Sequence, residues 1–262
     1  MIESRGMIEV AKEAARISGN IILEHQGKTH KIIGKEIVGD FATEADIASE
    51  FEILRALKKA FPNHNFISEE VGVREMGSEY TWVIDPLDGT YAFSSGLPTY
   101  GVSIGLLHKG EPILGVINIP AQKSIYWAEK GKGAFLNGVS IRVSPQNKLE
   151  DVLLGLDVGY KGGREKELSD IAVPLSDKVL QIAMMCGAAT ACGYVAQGIY
   201  GAYVHKAKVW DYAAGAILII EAGGNITDYQ GKEIDWTQRD ISLVASNGLV
   251  HEELLALLNK RS

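Results

Sequence analysis

The chain has 262 residues, 46% hydrophobic and 23% charged, which supplies one large core or two fused lobes and excludes a disordered chain. With 26 basic against 33 acidic residues the net charge is -7, which argues against a general nucleic-acid binder, so a polyanionic ligand would need local cations or metal ions. No apolar run reaches the ~20 residues of a membrane helix and the N-terminus lacks a secretory pattern, while Cys186 and Cys192 fit no redox or metal motif and read as reduced, mostly buried thiols of a cytoplasmic protein.

Ile8, Ala11, Ala15, Ser18 and Ile22 recur at steps of three and four and predict an amphipathic helix. A second helix starts at Thr43, which pairs with Asp46 as a capping box. Its expected apolar face is Ile47, Phe51, Leu54, Leu57 and Phe61, and Pro62 stops it. "NFIS" reads as a short strand that delivers Glu69 and Glu70 to its end. From residue 81 to about 143 the pattern is of strands: "TWVI", "YGVSIGLL", "ILGVINI", "SIYWAE" and a hairpin turning at Asn137-Gly138. A largely antiparallel sheet flanked by the two helices follows. "SPQNKLED" is the expected boundary between a lobe over 1–149 and a second, α/β lobe over 150–262. In the latter, strands are expected at "VLLGLDV", "GAYVH", "NITD" and "ISLVAS", with helices over 187–197, 210–222 and 251–260.

Within "TWVIDPLDGT", Asp85 and Asp88 stand where an apolar stretch ends. Pro86 removes a donor and fixes its own φ, and Gly89 permits dihedrals that other residues resist, so a sharp turn is expected straight after Ile84. Taken alone, these are ordinary turn formers. Acids recur, however, at other element ends: Glu69 and Glu70 after a strand, Asp46 and Asp211 in the first turns of helices. One such acid ordinarily compensates a helix dipole. Several that converge repel one another unless protonated or bridged by cations, and oxygen donors suit Mg²⁺ or Mn²⁺.

"WVIDPLDGTYAF" resembles the first signature of the inositol monophosphatase family and "WDYAAGAILIIEAGG" the second, with "GDFATEAD" and "FISEE" at the expected places upstream. The resemblance covers nearly the whole chain. It implies an α+β fold, a layered αβαβα sandwich of two lobes with the active site between them. The first lobe would carry most metal ligands, and the second Asp211 and the substrate contacts. The implied activity is a Mg²⁺-dependent phosphomonoesterase for small sugar or cyclitol phosphates, inositol 1-phosphate or fructose 1,6-bisphosphate among them. By the same resemblance Glu69, Asp85 and the Leu87 carbonyl hold one metal, and Asp85 bridges to a second held by Asp88 and Asp211. A third, weaker Mg²⁺ is reached through water near Glu69, and Glu70 stands behind the ligands. Thr90, paired with Asp46, orients and helps deprotonate the attacking water, while the amides of Gly89 and Thr90 grip the phosphate. Gly187, Ala188 and His205 face the substrate, and a homodimer is expected. The chemistry agrees: a threonine hydroxyl is a poor base without an acid beside it, and paired metals serve both the attacking and the leaving oxygen.

The departures from the family pattern lie away from the ligands. "AMMC" precedes Gly187 where an Arg-Ser-type stretch is usual, and Gly201 and His205 occupy places where acids are common. With Lys206 and Lys208 beside it, His205 predicts tolerance of a second phosphate on the substrate. The alternatives are phosphatases for 3′-phosphoadenosine 5′-phosphate or histidinol phosphate, and a non-catalytic regulatory relative. The last predicts loss of a ligand or of Thr90, and all are kept. His25, His30, His64, His108 and His251 read as surface or loop residues, and Lys161 with Arg164 as a solvated charged loop.

Overall fold

The computed structural model describes residues 2–28, 33–34, 41–159 and 163–260. Asp40 of the "GDFATEAD" segment, His30 and Lys161 lie outside the described residues. The two predicted N-terminal helices are α1 (Ile2–His25) and α2 (Glu44–Ala60), with a small antiparallel ladder of β1 (Ile33–Gly34) and β2 (Phe41–Ala42) before the second. Both helices lie on one face of an eight-stranded sheet. Its strands are β3 (Asn65–Ser68), β4 (Gly72–Arg74), β5 (Tyr80–Asp88), β6 (Gly101–His108), β7 (Glu111–Ile119), β8 (Ser124–Glu129), β9 (Ala134–Leu136) and β10 (Val139–Ile141), in the order β10-β9-β8-β7-β6-β5-β3-β4. Every pairing is antiparallel except β3 with β5. Asn137 and Gly138 both take positive φ, 51° and 84°, as the expected hairpin turn requires.

The rest of the chain adds a five-stranded sheet of order β12-β11-β13-β15-β14. It comprises β11 (Leu153–Leu156), β12 (Gln181–Ala183), β13 (Ala202–Lys208), β14 (Asn225–Thr227) and β15 (Asp240–Ser246). A short helix α3 (Thr90–Ser95) follows β5. After β11 come the brief turns α4 (Arg164–Glu167) and α5 (Val173–Leu175), then α6 (Ala188–Ala196), α7 (Val209–Glu221) and the closing α8 (His251–Leu258).

Three apolar cores show how these pieces stack. Trp82, Ile84 and Ile104 meet α1 and α2 on one side of the first sheet. Val83, Ile117 and Tyr126 on its other side meet α6 and α7, which also cover Tyr203, Leu243 and Ala245 of the second sheet. The far face of that sheet, with Leu154, Val204 and Val244, packs on Leu175 and Leu254. The result is the expected α+β, αβαβα sandwich. α7 seats tightly on the first sheet because β6 and β7 present glycines to it. A Cβ on Gly105 would lie 3.0 Å from the Ala213 carbonyl carbon, and one on Gly115 would lie 2.3 Å from the Ala214 carbonyl oxygen.

Four expectations need correction. The sharp turn foreseen after Ile84 is a bulge: β5 runs on to Asp88, pairing Asp85 with Ser103 and Asp88 with Gly101, so three steps on β5 match two on β6. The turn comes only at Gly89. On α2 the buried face is Asp46, Ser49, Glu50, Ile53, Leu54 and Leu57, while Ile47 and Phe51 are 48% and 63% exposed. Cys192 is buried but Cys186 is exposed. His251 is buried, held between Ser246 Oγ at 2.9 Å and Thr227 Oγ1 at 3.0 Å.

Candidate active site

Strand alternation puts Asp85 on the Val83 side of β5, facing α7, and the bulge brings Asp88 to the same place. Leu87 between them donates its N–H to Asp85 Oδ1 at 2.9 Å. α7 supplies Asp211 from its first turn, where Oδ2 accepts the Lys208 N–H at 2.6 Å. Carboxylate oxygens of Asp85, Asp88 and Asp211 all fall within 4.8 Å of one another. Asp88 is also held by the start of α6, with Oδ1 accepting from Ala188 N–H at 3.0 Å and Oδ2 from Ala189 N–H at 2.9 Å. The Ala188 end of α6, expected at the substrate, thus lies directly against Asp88.

Burial pushes the carboxyls of Asp85, Asp88 and Asp211 upward. Glu69, then Asp88 and Asp211, raise Asp85 further. Asp211 raises Asp88 against the pull of the two α6 amides. Glu69 raises Asp211 against the Lys208 amide, and Asp85 and Asp211 are close enough to share a hydrogen bond, which requires a proton on one of them. The cation that acts on Asp211, Lys208, has its Nζ on Asp240 Oδ1 at 2.5 Å. The cluster thus carries more negative than positive charge in a buried place, with oxygen donors throughout. That donor set fits a hard divalent cation.

Glu69 stands outside the tight group but acts on Asp85, Asp211 and Asp46 through its charge, and Glu70 acts on Asp46. At the start of α2, Asp46 Oδ2 accepts the Thr43 N–H at 2.7 Å and the Thr43 hydroxyl at 2.6 Å. Its Oδ1 lies 3.3 Å from Thr90 Oγ1, whose single proton is shared between that oxygen and the Leu87 carbonyl at 3.2 Å. Burial, opposed by the Thr43 bonds, pushes Asp46 up to about 7. Gly89, at φ +77°, sits where a Cβ would come within 2.8 Å of the Cys186 carbonyl oxygen and 3.1 Å of that of Thr99, so the turn admits glycine alone.

His205 accepts or donates at Nδ1 to the Tyr212 hydroxyl at 2.8 Å, and burial pushes it down to about 4, so it is neutral near pH 7. Lys206 is exposed and, by alternation along β13, projects from the opposite side of the strand. Arg164, also exposed, bonds the Gly159 carbonyl at 3.2 Å.

Three polar side chains here went unforeseen. Ser49 Oγ donates to the Pro86 carbonyl at 2.6 Å and so braces the bulge. Glu50 is buried beside the Glu69–Glu70 turn. Asp157 collects the Met185 N–H at 3.2 Å, the Cys186 N–H at 2.9 Å and the Tyr203 hydroxyl at 3.0 Å, shaping the loop that enters α6. Asp157 follows the apolar run of β11 as Asp85 follows that of β5, a signal that was available. The signal for Ser49 and Glu50 was their spacing of three and four from Asp46.

The layered sandwich thus brings Asp85, Asp88 and half-buried Asp211 together between its sheets as a carboxylate cluster that could hold a metal ion. The family model of the inositol monophosphatase family matches residues 3–262. Inositol monophosphatase 2 of Solanum lycopersicum is 37% identical, with 97% of this chain and 98% of the relative aligned. A fructose-1,6-bisphosphatase/inositol-1-monophosphatase of Thermotoga maritima is 34% identical over 92% of this chain and 91% of its own. Among solved structures, the extragenic suppressor protein suhB of Bartonella henselae superposes with a TM-score of 0.92 at 29% identity, covering 98% of this chain and 100% of that one. The chain belongs to the inositol monophosphatase family.

Proposed function

We propose that this chain is a metal-dependent phosphomonoesterase that hydrolyses small sugar or cyclitol phosphates, inositol 1-phosphate and fructose 1,6-bisphosphate first among them. The observation that carries this reading is the meeting of Asp85, Asp88 and Asp211 beside the Asp46–Thr90 pair. Asp85, Asp88, Asp211, Glu69 and the Leu87 carbonyl would hold the cations, Mg²⁺ or Mn²⁺. When bound, these would neutralise the phosphate dianion and acidify water. The chain's own residues do the rest. Thr90 Oγ1 orients the attacking water and relays its proton to Asp46 Oδ1, whose elevated proton affinity suits a base near neutrality. Amides at Gly89 and Thr90 steady the phosphate oxygens. Glu70 stands behind the ligands and acts on Asp46.

The substrate side rests on His205 and the loop ending at Gly187. A neutral imidazole in place of an acid removes a repulsion that a second phosphate would meet. The lysines support this less, since Lys208 pairs with Asp240 and Lys206 faces away. We further propose two working lobes, 1–149 and 150–262, and a homodimer in which exposed Met184 is covered. Two free cysteines fit a reducing, cytoplasmic setting. Among the described residues no helix is long and apolar enough to cross a membrane.

Phosphate release should be measured over inositol 1-phosphate, fructose 1,6-bisphosphate, histidinol phosphate and 3′-phosphoadenosine 5′-phosphate, with Mg²⁺, Mn²⁺ or chelator. One of the first two should lead, and chelator should abolish turnover. Release that survives chelation, or folded Asp88→Asn protein with wild-type turnover, would overturn the reading.

A further inference from the structure

The turn that carries Glu69 is pinned from α2. Glu50, 3% exposed, uses one oxygen, Oε1, to take three donors: the Ser68 hydroxyl, the Glu70 N–H at 3.1 Å and the Val71 N–H at 3.1 Å. These residues bracket Glu69, whose own N–H goes to the Ile84 carbonyl at 3.2 Å. The turn joining β3 to β4 is therefore tied on both sides of Glu69, to a helix on one hand and to β5 on the other. Glu50 shares its helix face with Asp46, which meets Thr90, and with Ser49, which holds the Pro86 carbonyl.

Burying a carboxylate is expensive, and an apolar side chain of similar volume would fill the space at lower cost. Packing alone therefore does not account for Glu50. We propose that Glu50 is a positioning residue: its Oε1 fixes the Glu69–Val71 turn so that Glu69 is presented to the cation site. The inference rests on the reading of Glu69 as a ligand. Groups that orient metal ligands typically govern affinity by 10–100-fold, which sets the scale of the effect.

The test measures Mn²⁺ binding to metal-stripped full-length protein by electron paramagnetic resonance of the free ion, together with hydrogen exchange at the Glu70 and Val71 amides. Glu50→Ala should weaken Mn²⁺ binding by about tenfold or more and speed exchange at both amides. Glu50→Gln keeps an oxygen that accepts the same three bonds while losing the charge, and it should stay within about threefold of wild type, below the range such groups command. Wild-type Mn²⁺ affinity in folded Glu50→Ala overturns the proposal. So does a tenfold loss in Glu50→Gln, because the charge and not the acceptor would then matter; this arm reports even where the alanine variant does not fold. Glu69→Gln separates the two readings. If it binds Mn²⁺ as wild type does, the ligand assignment fails and the positioning role with it. If it loses binding while Glu50→Ala does not, the positioning role alone fails.

Discussion

α1 and α2 lie side by side on the same face of the same sheet, yet they use their buried faces differently. α1 turns Met7, Ile8, Ala11, Ala14, Ala15 and Ile22 inward, with Ser18 the polar exception. α2 buries Ile53, Leu54 and Leu57 in its second half, but its first turns bury Asp46, Ser49 and Glu50. Those three reach the Thr90, Pro86 and Glu69–Val71 segments in turn. The helix with the apolar stripe anchors the layer; the helix with the polar one organises the site. Ser18, which touches Ser49, is where the first helix meets that network.

The two helices should differ most at the Asp46–Thr90 pair, which only α2 reaches. Asp46→Asn and Thr90→Ala should each lower kcat by roughly 10²–10⁴ while Mn²⁺ binding persists. If the two work as one unit, the double variant should be little worse than either single one. Steady-state kinetics on the three proteins decide it, and additive losses would mean that α2 does not act through Thr90. On α1 the expected effect is of another kind. Ile22→Ala, at a fully buried position, should cost about 2–5 kcal/mol of unfolding free energy and leave kcat of the folded protein unchanged. Urea unfolding with parallel assays checks this.

A smaller difference should appear against pH. In metal-stripped protein Asp46 is pushed up to about 7 by burial, whereas an unfolded chain releases its proton near 3.8. Between those values the folded state binds more protons, so stability falls as pH rises. Asp46→Asn removes that contribution. It should match wild type near pH 4 and exceed it above pH 7 by up to roughly 4 kcal/mol. Thermal melts in chelator measure the gap. The deficit of Ile22→Ala, by contrast, should not change with pH.

Signals confined to a few neighbouring residues were legible in the sequence. The Thr43–Asp46 capping box and the Asn137-Gly138 turn depend on local backbone chemistry and stand as read. Asp85, Asp88 and Asp211 were expected together, and they lie together. What failed depends on distant partners. Pro86 and Gly89 promise a turn, but pairing with Ser103 and Gly101 of β6 carries the strand through and leaves a bulge. His251 looked like a loop residue because Thr227 and Ser246, which satisfy its ring, come from two strands of the second sheet. The face of α2 was misjudged because apolar periodicity gives no weight to a buried acid or serine, and three of them set its orientation.

The smallest expected effect tests that last point. If the polar residues of α2 determine which way it faces, Phe51 is an outward side chain whatever its hydrophobicity. At 63% exposure it has little apolar area to lose on substitution. Phe51→Ser should then shift unfolding free energy by no more than about 0.5 kcal/mol, as surface changes usually do. It should leave kcat and KM alone, because Phe51 is separated from Asp46 and Glu50 by the turn of the helix. The matching inward change, Ile53→Ser, puts an unpaired hydroxyl into a fully buried position and should destabilise by several kcal/mol. Urea unfolding of both variants at two protein concentrations is the measurement. A loss of 2 kcal/mol or more in Phe51→Ser, independent of concentration, would mean that the predicted stripe is buried and α2 is rotated from the face described. A loss that grows with concentration would instead place another copy of the chain over Phe51, leaving the orientation of α2 intact.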